Sequence, residues 1–140
     1  MKVVADTNTL ISGFLWNGAP AQLLNAALDS RLTIFSSKSL LDEFEATLSA
    51  PKFLSRLDAK GLTASGLVTK FRNSCHEVTP SLVDLPSNLR DADDLAVLAC
   101  AIAVPVDLIV SGDKDLLVLG QFRGIPIVDS RAALELMRLD

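Results

Sequence analysis

Four carboxylic acids in four separate segments carry the most chemical information in this chain: Asp6, Glu43, Asp94 and Asp113. Asp6 follows the apolar run VVA, Glu43 sits in SLLDEFEATL, Asp94 in RDADDLAVLACA and Asp113 in SGDKDLLVL. Carboxylates gathered in one place repel one another, and a hard divalent cation is what makes such a nest tolerable. Oxygen donors without histidine or cysteine suit Mg²⁺ or Mn²⁺ rather than zinc. The chemistry such a nest supports is metal-dependent phosphoryl transfer.

Each acid also has a structural reading. Asp6, before Thr7-Asn8, suits the N-cap of a following helix. Asp113, after Ser111-Gly112, suits the cap of a polar loop, with glycine letting the backbone turn sharply. Asp91, Asp93 and Asp94 crowd three carboxylates into four residues. Opening a helix relieves part of that repulsion, because helix N-termini favour negative charge. For the acid of the second segment, periodicity leaves the choice open: at ~100° per residue Glu43 and Glu45 both flank the apolar stripe and Asp42 points away. Ser39-x-x-Asp42 resembles a capping box, which gives Asp42 a structural task.

The elements that must position these acids alternate strand and helix. KVVAD (2–6), LTIFS (32–36), LIV (108–110) and IPIV (125–128) read as short buried strands, with another near 76–79. Helices are expected over 7–15, after Pro20, over 39–49, over 92–103, over 114–119 and over 131–139, with one or two more between 52 and 73 broken near Gly61. WNGAP (16–20) and the stretch from Pro80 to Arg90 read as loops. Strands separated by helices predict an α/β sandwich around a parallel sheet, where ligands bind beyond the carboxyl ends of the strands. Asp6 and Asp113 fall at such ends.

The 140 residues suit one domain, expected to span 1–140. Hydrophobic residues make up 49%, enough for a core and too many for a disordered chain. No apolar run reaches the ~18 residues of a membrane helix, and MKVVAD does not read as a signal peptide, so a cytoplasmic location is expected. Cys75 and Cys100 form no metal motif and are expected to be reduced core residues. Net charge is −4, unlike the basic footprint of most nucleic-acid binders. Setting the four candidate acids aside leaves a neutral remainder, and residues 51–74 hold Lys52, Arg56, Lys60, Lys70 and Arg72 against Asp58 alone. That stretch suits either phosphate contact or a solvated helical face. His76 is the only histidine and is expected to be structural; Trp16 suits packing or stacking on a base. No P-loop is present, which excludes nucleotide hydrolysis of that type.

Taken together, these segments resemble the PIN-domain family of nucleases, which includes VapC-type toxins. KVVADTNTLISGFL is similar to the family's opening strand and helix, SSKSLLDEF to its second motif, RDADDLAVLACA to its third, VSGDKDLLVL to its fourth and GIPIVDSRAALELM to its last strand and helix. The toxin-component subgroup is the nearest in pattern, through WNGAP and SGDKDLL. The resemblance implies a three-layer α/β/α sandwich with a central parallel five-stranded sheet. It places the family's acids on Asp6, Glu43, Asp94 and Asp113, with Mg²⁺ or Mn²⁺ bound and RNA as substrate. Asn8 and Ser111 match positions where the family often has a polar group supporting the site. Apart from the resemblance, Asp91 and Asp115 are extra acids suited to outer or second-metal ligands, and Lys52, Arg56 and Lys114 are candidate substrate contacts. An antitoxin protein is the implied partner, and the implied products are a 5′-phosphate and a 3′-hydroxyl; a homodimer is expected because dimers are the commonest closed assembly.

Three other functions share parts of this pattern. A phosphatase of haloacid-dehalogenase type needs Asp-x-Asp after the first strand, and Asn8 stands where the second Asp would be. A phosphoacceptor receiver needs an Asp at the end of a middle strand, and LTIFSS ends in serine. A catalytically idle PIN-like binding module would usually have lost one of the four acids.

Overall fold

A computed structural model describes residues 1–80, 89 and 91–138. The chain runs β1 (Lys2–Ala5), α1 (Thr7–Leu15), α2 (Ala19–Leu28), β2 (Thr33–Ser36), α3 (Lys38–Leu48), α4 (Pro51–Ala59), α5 (Ala64–Ser74) and β3 (His76–Glu77). It continues through α6 (Ala92–Ala103), β4 (Leu108–Val110), α7 (Lys114–Leu119), β5 (Gln121–Phe122), β6 (Ile125–Val128) and α8 (Ser130–Arg138). The loop expected from Pro80 to Arg90 lies, apart from Pro80 and Leu89, outside the described residues, as does Leu139 at the end of the last expected helix.

The sheet has the order β3-β2-β1-β4-β6-β5. Five strands are parallel, as expected; β5 is a sixth, paired antiparallel to β6. The hairpin turn between them puts Arg123 (φ 50°) and Gly124 (φ 84°) in the left-handed region, the geometry of a tight two-residue turn. Arg-Gly lacks the Asn-Gly or Asp-Gly pattern that announces such a turn, so this strand went unread in the sequence.

Side chains of each strand alternate between two cores. Val3, Ala5, Leu108 and Val110 face one side with α1, α2, Phe44 and Leu48 of α3, and Phe71 of α5. Val4, Ile109, Ile125 and Ile127 face the other with α6 and Leu116 of α7. This alternation is the period of two that a sheet covered on both faces requires. Phe14, Phe44 and Phe71 pack ring against ring at 5.4–6.0 Å. Gly13 lets α1 and α2 approach closely, since a Cβ there would lie 2.6 Å from Leu24 Cδ1. Cys75 and Cys100 are both free thiols. His76 is exposed, with its ring 5.4 Å from that of Phe35. Among the described residues no helix is long and apolar enough to cross a membrane.

Helix caps differ in one place from the expectation. Ser37, not Ser39, caps α3, with its Oγ accepting from Leu40 N at 3.3 Å. Asp42 is therefore no capping-box partner; it pairs with Lys38 Nζ at 2.8 Å along the exposed face.

Candidate metal centre

Strand order reverses between β1 and β4, because β1 leads out to β2 on one side and β4 to β6 on the other. Such a switch point leaves a crevice at the carboxyl ends of the two strands. Asp6 and Ser111 stand there. Asp6 N still bonds Val110 O at 3.0 Å, so the ladder fixes Asp6 against β4. Its Oδ1 caps α1 by accepting from Thr9 N at 2.9 Å. Its Oδ2 accepts from Ser111 Oγ at 2.5 Å. Ser111 Oγ in turn accepts from Asp113 N at 2.9 Å. One buried hydroxyl thus orients two of the expected acids.

Asp113 caps α7, its Oδ1 accepting from Asp115 N at 2.8 Å and Leu116 N at 3.3 Å. Asp94 lies in the first turn of α6 and is 4% exposed. Its Oδ2 is fully buried and, among the described residues, has no hydrogen-bond partner. Asp94, Asp113 and Asp115 each place an oxygen within 4.8 Å of the other two. An unpartnered carboxylate oxygen buried among other carboxylates is costly unless something positive answers it. The all-oxygen donor set of Asp94, Asp113 and Asp115 fits Mg²⁺ or Mn²⁺.

Burial pushes the Asp94 carboxyl up to about 7, helped by the charges of Asp113, Asp91, Asp6 and Asp115. Burial also raises Asp93 to about 6, followed by its hydrogen bond to Glu43 and the charges of Glu43, Asp91 and Asp6. A bound cation reverses this field.

The second motif's acid now has a position. Along α3, Leu40, Leu41, Phe44 and Leu48 are buried, Glu43 is half-buried beside them, and Asp42 and Glu45 are exposed. Glu43 meets Asp93 across the α3–α6 contact, and its Oε1 accepts from Thr47 Oγ1 at 3.0 Å. Asp93 was one of three clustered acids in the sequence but had not been singled out. Its place in the first turn of an apolar helix was the available signal; its partner on α3 is a long-range contact that no local pattern encodes.

The remaining candidates divide by position. Asp91 is exposed and caps α6 through Asp93 N at 2.8 Å, while its charge still reaches Asp94. Asp115 joins the close trio, and Asp6 and Glu43 lie outside it. Asn8 and Lys114 line an open groove of about 510 Å³ together with Asp113, Asp115 and Ser130. Among the described residues no hydrogen bond joins Asn8 to the acids. Lys52 and Arg56 are on α4, where Arg56 Nε donates to Leu15 O at 2.7 Å.

No curated protein is matched by the chain. A family model described as PIN domain matches residues 2–115. That span holds β1 to the start of α7 and every acid of the centre, so the chain belongs to the PIN-domain family.

Proposed function

We propose that this chain is a Mg²⁺- or Mn²⁺-dependent endoribonuclease whose residues 1–140 act as one PIN-like domain. One observation carries the reading: buried Asp94, whose Oδ2 has no hydrogen-bond partner among the described residues, brings a carboxylate oxygen within 4.8 Å of Asp113 and Asp115. Family membership supports nuclease chemistry for such a centre.

Asp94, Asp113 and Asp115 would hold the cation, with Asp6 closing the nest from β1. When bound there, the cation would supply charge neutralisation at the phosphodiester and a more acidic water. Ser111 fixes the orientation of Asp6 and of the Asp113 backbone before substrate arrives, so no reorganisation is needed during the reaction. The Glu43–Asp93 pair acts as general base, taking a proton from the attacking water. Water oxygen bonds to phosphorus, the bond to the 3′-oxygen breaks, and that oxygen takes up a proton. The products are a 5′-phosphate and a 3′-hydroxyl. Lys114, which lines the groove with Asp113, would meet the strand next to the scissile phosphate. The same reading makes the chain the toxin of a toxin–antitoxin pair, cytoplasmic and homodimeric.

Incubation of purified protein with a single-stranded RNA, with Mn²⁺ and with EDTA, tests this. Cleavage only with the cation, and 5′-phosphate ends on the products, is the expected result. Rapid turnover of a small phosphomonoester with intact RNA would instead favour a phosphatase.

A further inference from the structure

The carboxyl end of α1 carries a surface the centre does not use. Trp16, the only tryptophan, caps that helix and is 43% exposed. Phe53 of α4 meets it edge to face at 6.2 Å. The Arg56 guanidinium lies 5.3 Å from the indole centroid, and Lys52 Nζ lies 5.1 Å from the Phe53 centroid. Leu54 beside them is 60% exposed. Two aromatic rings and two cations therefore share one patch.

Among the described residues no acidic group lies within 4.0 Å of Lys52 or Arg56. Arg56 is held by the Leu15 carbonyl through Nε, which leaves its terminal nitrogens for another acceptor. Lys60, Lys70 and Arg72 extend the positive charge along exposed positions of the same stretch, against Asp58 alone. An acidic chain that concentrates unpaired cations beside exposed aromatic rings favours a ligand that is both anionic and flat-ringed.

We propose that this patch binds single-stranded RNA flanking the scissile phosphate, with a base stacked on Trp16 and phosphates on Arg56 and Lys52. The proposal rests on the ribonuclease reading for the identity of the strand. Aromatic side chains accept any base, because every base has a π-face, and cations track the backbone. The α1 helix sets the spacing: Asp6 caps its start and Trp16 its end, roughly 14 Å apart along the axis. Single-strand grooves commonly engage about 4 nucleotides or more, so one strand reaches both places. The patch also answers the charge problem of the acidic centre, since it holds the strand before the cation neutralises the phosphate.

Trp16 fluorescence reads the contact directly, since no other indole contributes. The expected result is saturable quenching when the full chain, in EDTA, is titrated with an unstructured 12-nucleotide RNA, weakened by added salt. Trp16→Ala should weaken binding of the labelled 12-mer about fivefold or more by anisotropy, and in Mn²⁺ its loss of cleavage should fall on KM for the 12-mer. Exposed Lys52→Glu tests the same surface with the indole in place, and should reduce the quenching even if Trp16→Ala fails to fold. Cleavage of RNA with no quenching, and with unaltered binding in Lys52→Glu, overturns the patch and leaves the nuclease standing. Quenching without any cleavage supports the patch and sinks the hydrolytic reading instead. A surface that is silent toward RNA, but whose Trp16→Ala variant sediments as a smaller species, belongs to a protein interface and overturns the proposal.

Discussion

Ser111 Oγ donates to Asp6 Oδ2 across 105 positions of sequence, and both groups are buried. The bond joins the ends of β1 and β4, and through Asp113 N it extends to the start of α7. Replacing Ser111 by Ala leaves a buried carboxylate oxygen short of a donor, which costs about 1–3 kcal/mol. Urea unfolding in EDTA should show that loss, and Mn²⁺-dependent cleavage should fall less than in Asp6→Asn. Unchanged stability would mean that the hydroxyl does not support Asp6.

Asp94→Asn should separate stability from function. The amide removes a charge that burial and four neighbouring acids disfavour. Metal-free thermal stability at pH 8 should therefore hold or rise, while stabilisation by Mn²⁺ disappears. A variant that loses metal-free stability yet keeps its response to Mn²⁺ would contradict the assignment.

The metal-free protein should weaken as pH rises. Asp94 titrates near 7 in the folded chain against an ordinary 3.8, so between those values the folded state holds the extra proton. Stability is then full below about pH 4 for this group and is lost as pH climbs through 7. At about 1.4 kcal/mol per unit, the shift amounts to roughly 4 kcal/mol at most. Asp93, raised for similar reasons, adds in the same direction. Melting temperatures in EDTA from pH 5 to 8 should decline, and Mn²⁺ should flatten the decline. A rise over the same range in EDTA would contradict it.

Gly13→Ala probes the scaffold rather than the site. The new methyl would stand 2.6 Å from Leu24 Cδ1 and 2.9 Å from Pro20 O. Overpacking of this kind costs typically about 1–3 kcal/mol. A fall in urea midpoint with the slope preserved is the expected outcome, and no change would mean that α2 shifts freely.

Much of the framework was legible because local patterns decide it. Ala92–Ala103, Leu108–Val110, Lys114–Leu119 and Ile125–Val128 form the elements their apolar runs and punctuation predict. The β5 strand was hidden because Arg123 adopts a left-handed backbone without the usual turn residues. Ser37 rather than Ser39 caps α3, a two-residue ambiguity wherever serines cluster. The centre was legible as residue types at strand and helix ends. Its internal contacts were not. Periodicity could not separate Glu43 from Glu45, and only the packing of α3 on α6 sets Glu43 against Asp93. Asp115 meets Asp94 because the fold brings the starts of α6 and α7 together, a contact that no local pattern encodes.

The central claim is that a divalent ion answers the buried charge of Asp94. A crystal soaked in Mn²⁺ and measured at an anomalous wavelength tests it most directly. The expected result is a peak in ordinary coordination reach, about 2.0–2.6 Å, of Asp94 Oδ2 and of Asp113 or Asp115. A fully soaked crystal with no peak at these carboxylates, or with its manganese bound elsewhere, would contradict it.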